Sequence, residues 1–109
     1  MKRVAIESPY AGDIALHVAY AKAAVRDCLK RGESPYASHL FFTQDGILDD
    51  GDAAEGALGI EAGLAWGDAA EATVVYADLG ISDGMKEGMA RANAASRPIE
   101  MRSILSWTG

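Results

Sequence analysis

Apolar and polar positions along the chain follow two periods that alternate. Val4-Ala5-Ile6 is a short apolar run that stops at Ser8-Pro9-Tyr10-Ala11-Gly12-Asp13, where Pro and Gly mark a loop. From Ile14 to Arg31 the spacing lengthens to three and four residues. Ile14, Val18, Ala21, Val25, Cys28 and Leu29 fall on one face, with Lys22, Arg26 and Lys30 opposite, as in an amphipathic helix. Asp13 is placed to cap its start and Gly32 to stop its end. Ser34 to Phe42 predicts a second strand running into a loop, and the Asp- and Gly-rich segment from Gln44 to Asp52 a mobile connection. An Ala-rich, closely packed helix opens at Gly51 or Asp52. It ends near Trp66-Gly67-Asp68, or breaks there and resumes to Glu71. Thr73-Val74-Val75-Tyr76-Ala77 is continuously apolar, which predicts a strand covered on both faces. The loop Asp78 to Gly84 leads into a helix from about Met85 to Ala95. Pro98 ends it, Ile99 to Leu105 predicts a last strand, and Ser106 to Gly109 a tail.

The predicted order, strand and helix alternating from end to end, implies an α/β domain. It is a three-layer sandwich with a small, mostly parallel sheet of about four strands and helices on both faces. The whole chain, residues 1–109, reads as one domain. In such sheets ligands sit at the carboxyl ends of the strands, near a switch in strand order. Three loops qualify: Ser8 to Asp13, His39 to Asp52, and Asp78 to Gly84.

Composition narrows the partners. Sixteen acidic residues against ten basic ones leave a formal charge of -6. A nucleic-acid polymer needs a basic footprint, and none is visible. A single phosphate stays possible, because backbone N–H groups at a helix start can hold it. Cys28 is the only cysteine, so neither an internal disulfide nor a cysteine metal cluster can form. That fits a reducing compartment. The apolar run at the N-terminus is too short for a signal peptide, and no segment approaches a membrane span. A cytoplasmic protein is expected. A chain this short buries a modest share of its surface, so association with further copies would add stability.

Several residues at the strand ends could carry chemistry. Ser82 and Gly84 precede a helix and could present a hydroxyl and free N–H groups to an anion; the plainer reading is a helix cap and a turn. Asp78 at the strand tip could accept from a sugar hydroxyl or stand in solvent. Ser8 could bond a ligand, Tyr10 could stack on a base, and Gly12 would allow close backbone approach; equally, they make an ordinary turn. His39 could donate to a ligand, act as acid or base, or serve as a structural donor. His17 reads as structural. Met85 and Met89, four residues apart, should face the core or a pocket floor. Asp45, Asp49, Asp50 and Asp52 crowd one loop without the spacing of a calcium loop. Trp66 and Trp107 read as core or interface residues. No Walker loop, Gly-x-Gly-x-x-Gly, Ser-His-Asp set or zinc motif occurs, so neither a cofactor nor a metal is expected.

Strand 1 ending in Ser8-Pro9-Tyr10-Ala11-Gly12, Pro35 and His39 around the second strand, Asp78 after the buried strand, and Ser82-x-Gly84-Met85 opening a helix that reaches Ala92 belong together. In order and spacing they resemble the nucleoside 2-deoxyribosyltransferase-like superfamily, in particular its small bacterial and phage members. The resemblance implies a flavodoxin-like or Rossmann-like sheet holding a nucleoside or its 5′-monophosphate, in an oligomer whose pockets a neighbouring chain completes. It places Ser8, Gly12, Ser82 and Gly84 around sugar or phosphate and Asp78 on a sugar hydroxyl. The related enzymes cleave an N-glycosidic bond with a glutamate four residues after the loop glycine. Counting from Gly84 reaches Gly88, with Glu87 one residue earlier. Neighbouring helical residues point about 100° apart, so Glu87 does not reach the same position without a local shift. A carboxylate implied near the base falls at Ala65; Glu61, one turn earlier, is the substitute.

Three functions follow. The first is a binder or sequestering protein for a nucleoside or nucleotide, without catalysis. The second is an N-glycosidase or deoxyribosyltransferase working through Glu87 or Glu61. The third is a homo-oligomeric interaction protein with a vestigial pocket, built on the Ala-rich helix.

Overall fold

A computed structural model describes residues 1–104 and 107. Its elements are β1 (Lys2–Glu7), α1 (Ile14–Lys30), β2 (Glu33–Tyr36), α2 (Ser38–Phe41), α3 (Ala53–Gly67), β3 (Ala72–Tyr76), α4 (Asp83–Ala94) and β4 (Ile99–Arg102). The four strands form one parallel sheet in the order β2-β1-β3-β4. The expected α/β sandwich is therefore the observed one. β1 and β3 occupy the centre, and successive crossovers run to opposite sides of β1.

Alternation along the strands divides the molecule into two faces. Val4, Ile6, Val74 and Tyr76 point to one side and pack with Tyr20, Ala24 and Cys28 of α1. Ala5, Glu7 and Thr73 point to the other, beneath α3 and α4. β3 is buried along its whole length, as its apolar run implies.

Helix starts follow local chemistry. The carboxylate of Asp13 accepts from Leu16 N–H, that of Asp52 from Ala54 and Glu55 N–H, and the Ser82 hydroxyl from Met85 N–H. Each satisfies backbone donors that the first turn leaves free. After α1, Gly32 turns the chain with a φ of +80°.

Five expectations need correction. The second strand stops at Tyr36, because only Glu33–Tyr36 finds partners on β1. The next residues satisfy their backbone locally, Leu40 N–H to Ala37 and Phe42 N–H to Ser38, and so make a helical turn that carries His39. The buried stripe of α1 is Tyr20, Ala21, Ala24 and Cys28, while Ile14 and Leu29 are exposed. α3 is not closely packed: of its residues only Gly67 is buried, and Trp66 is 63% exposed. α4 begins at Asp83, immediately after its Ser82 cap. The last strand ends at Arg102, and the expected strand end at Leu105 lies outside the described residues, as does most of the tail. Trp107 packs edge-on against Tyr20.

A polar cluster fastens the last strand. The Arg102 side chain, 4% exposed, donates to both carboxylate oxygens of Glu33 at 2.7 and 2.6 Å and to Glu100 at 2.8 Å. No helix among the described residues is long and apolar enough to cross a membrane.

Candidate functional site

The loops after β1 and β3 diverge where the crossovers change side, and a cavity of about 510 Å³ opens there between the sheet, α2, α3 and α4. This is where an open parallel sheet offers free strand ends to a ligand. Of the residues singled out from sequence, Ser8, Tyr10, His39, Ser82, Gly84, Met85 and Glu87 line it. Gly12, Asp78 and Glu61 do not.

β1 delivers Ser8 to the cavity wall, where it is buried. Its hydroxyl and the Nε2 of His39 are 2.8 Å apart. α2 brings His39 there, and Thr43 ties the turn by donating to the His39 carbonyl at 2.6 Å. Burial holds the His39 pKa down to about 4, so the imidazole is neutral at ordinary pH. The Tyr10 ring meets His39 edge-on at 6.3 Å, and its carbonyl lies 2.9 Å from the His17 ring. The buried Tyr36 hydroxyl, on the same wall, has no hydrogen-bond partner among the described residues.

α4 supplies the opposite wall. Ser82 caps the helix, and its own N–H points to the Met85 sulfur at 3.3 Å. That contact seats Met85 fully in the interior. Gly84 follows the cap on the cavity side, while Glu87 stands exposed on the rim. Glu61 faces outward beside Glu87 in a shallow groove with Ala57, Ile60 and Leu64.

The remaining two residues serve the fold. Asp78 accepts from Tyr20 at 2.6 Å, from Ile104 N–H at 2.8 Å and from the Ser103 hydroxyl. These bonds hold its carboxyl below the usual carboxylate range, although desolvation opposes them as the largest single effect. Its acceptor capacity is thus used in joining α1 to the segment after β4. Gly12 has a φ of +95° and turns the chain into α1.

The residue that sequence reasoning missed is Glu7. It ends β1 on the cavity face, and its carboxylate fills the space above Gly88. A Cβ placed on Gly88 would collide with the carboxylate carbon and both oxygens, the farther oxygen at 2.7 Å. So a side chain at Gly88 would require the Glu7 carboxylate to swing aside, and the carboxyl at this point of the cavity comes from β1. Among the described residues no hydrogen bond holds it. Desolvation, opposed by the charge of Arg97 and reinforced by that of Glu87, raises its pKa to about 7. The available signal was parity. Val4 and Ile6 face the α1 core, so Glu7 shares the other face with Ala5.

A family model described as a domain of unknown function, DUF7768, matches residues 2–102. The chain belongs to this family. Its fold is similar to that of the 2-deoxyribosyltransferase from the psychrotolerant bacterium Bacillus psychrosaccharolyticus, with a TM-score of 0.63 at 16% identity over 98% of this chain and 76% of that one. No curated protein matches the sequence.

This DUF7768 domain therefore offers a cavity of mixed character. The neutral Ser8–His39 pair can exchange hydrogen bonds with a ligand, and Tyr10 and Phe42 supply aromatic surface. Five acidic residues line the cavity, Glu7, Asp50, Glu55, Asp83 and Glu87, against a single arginine. That arginine, Arg97, already donates to Thr73 at 3.1 Å and lies 3.6 Å from Asp68. Among the described residues no group of three or more His, Cys, Asp or Glu is placed to hold a metal.

Proposed function

We propose that the protein binds a nucleoside-type small molecule in the cavity between β1, β3 and α4. The observation that carries this reading is the cavity itself. Its 510 Å³ lies within the range of small-molecule sites, roughly 300–1,000 Å³. It sits at the strand crossing, with Tyr10 for a base and the Ser8–His39 pair and the Ser82–Gly84 helix start for polar groups. The fold likeness to a 2-deoxyribosyltransferase supports the same class of ligand. Five carboxyl groups against one engaged arginine favour the uncharged nucleoside over its monophosphate, since a dianion would meet like charge on three walls.

The test is capture and release. The protein is incubated with nucleosides, their 5′-monophosphates and ADP-ribose-type compounds, then filtered and denatured, and both fractions are chromatographed. Intact nucleoside released only on denaturation supports the reading. Unbound ligand alone across the panel refutes it.

A second reading rests on α3. Leu58 and Trp66, about 80° apart around this Ala-rich helix, are both more than half exposed, which favours a homo-oligomer covering that face. Sedimentation at micromolar concentration checks it, and a monomer throughout would remove it. The lone, buried Cys28, which suits a reducing compartment, supports a cytoplasmic location.

A further inference from the structure

Tyr36 carries a polar atom that the fold leaves unused. The two fully buried tyrosines are engaged. Tyr20 donates to the Asp78 carboxylate at 2.6 Å and accepts from the Asp78 N–H at 2.9 Å, and Tyr76 donates to Asp27 at 2.6 Å. The Tyr36 ring is half-buried, yet its hydroxyl is shut away from solvent and has no partner among the described residues. Desolvation alone pushes it above the usual phenol range. A hydroxyl in this state has given up its water and gained nothing for the fold. Its position supplies a use. Tyr36 pairs with Ala5 across β1 and β2, and both line the cavity. The end of α3 lies over this point: a Cβ built on Gly67 would stand 4.0 Å from the Ala5 methyl, and the Trp66 ring meets the Tyr36 ring at 6.2 Å. This wall is the loosest of the cavity. Of α3 only Gly67 is buried, and Gly56, Gly59 and Gly63, on its cavity side, lower its helical stability.

Building on the nucleoside-binding reading, we infer that Tyr36 is a recognition residue of the site: as the nucleoside enters, α3 shifts outward, and the uncovered hydroxyl donates to an oxygen of the ligand. The five carboxyl groups of the cavity can only accept when ionised, so a phenolic O–H adds the complementary function, a donor for a sugar hydroxyl or a base carbonyl. The free protein already bears the desolvation of this hydroxyl, so little of the new bond is offset by lost hydration. Tyr36 therefore sharpens the affinity for a nucleoside while doing nothing for the stability of the free chain.

The experiment compares the full chain with Tyr36→Phe. Equilibrium dialysis measures the affinity of each for adenosine, inosine, guanosine, cytidine and uridine and for their 2′- and 3′-deoxy forms, and urea unfolding without ligand runs beside it. Tyr36→Phe is expected to bind the tightest of these nucleosides about tenfold more weakly. Its urea midpoint is expected to equal or exceed that of the wild type, because the substitution removes an orphaned hydroxyl. The oxygen that Tyr36 meets is the one whose absence weakens binding by the wild type and not by Tyr36→Phe. The deoxy forms report a sugar hydroxyl, and adenosine against inosine a base carbonyl. Saturating nucleoside is also expected to shift the tryptophan emission of the wild type and not of Trp66→Phe, since α3 carries Trp66. Equal affinity of wild type and Tyr36→Phe overturns the inference and leaves the binding reading standing. A lower urea midpoint for Tyr36→Phe overturns it too, by assigning the hydroxyl to the fold, and an emission unchanged at saturation overturns the shift of α3. Failure of the wild type to bind any of these nucleosides overturns the binding reading and this inference with it.

Discussion

Replacing Glu7 with Gln should stabilise the protein, and only above a certain pH. The carboxyl titrates from its ordinary 4.5 in the unfolded chain to about 7 in the cavity. A folded pKa above the unfolded one means that the folded state binds the proton more tightly. The native state is therefore undisturbed below about pH 4.5, where both forms are neutral, and loses stability as pH rises through 7. The difference of 2.5 pKa units, 7 minus 4.5, corresponds to about 3 kcal/mol at full ionisation. Water entering the cavity would lower that figure. Gln keeps the shape and removes the charge, so Glu7→Gln should match wild type near the acid end and exceed it by up to about 3 kcal/mol near pH 8. Urea unfolding of both proteins at matched pH values measures this, because the difference cancels every other titrating group. A gap that stays flat with pH, or a variant weaker than wild type at alkaline pH, would refute the claim that the carboxyl is desolvated and unsupported. A gap that opens with pH as expected would mark the carboxyl as a destabilising feature, of the kind proteins keep at functional sites.

Three further outcomes test the geometry. Gly88→Ala places a methyl against the Glu7 carboxylate, which must swing aside, so any loss of stability should stay within about 1 kcal/mol, and adding Glu7→Ala should remove it in urea unfolding. His39, whose pKa is depressed from 6.5 to about 4, contributes stability that is present above 6.5 and lost as pH falls toward 4; His39→Gln should remove that acid-side slope, up to about 3 kcal/mol, in the same assay. Arg102→Ala leaves the Glu33 carboxylate without its bidentate partner and should cost about 3–5 kcal/mol, read as a fall in urea midpoint at unchanged slope.

Much of this molecule follows from local sequence. The apolar run Thr73 to Tyr76 is a fully buried central strand, Asp13, Asp52 and Ser82 cap their helices, and the alternation of strand and helix leads to a parallel sheet. Residues placed at the cavity by their position at strand ends, Ser8 and Ser82 above all, are found there. These features depend on near neighbours in the chain, and the pattern carries them. Other features depend on residues far apart in the chain. Whether Asp78 faces ligand or fold is set by Tyr20 and Ile104, which supply its donors from two other segments. His39 lies on a helical turn because β1 offers no partner beyond Tyr36. Glu61 points away from the cavity, into a groove beside Glu87. Above all, the carboxyl that α4 lacks at Gly88 comes from β1 at Glu7. Strand parity determines which face Glu7 takes, but only the packing of α4 across the sheet brings Gly88 above it. A side chain's environment is made by whatever the fold carries to it, and in this cavity that is what raises the Glu7 carboxyl above the usual carboxylate range.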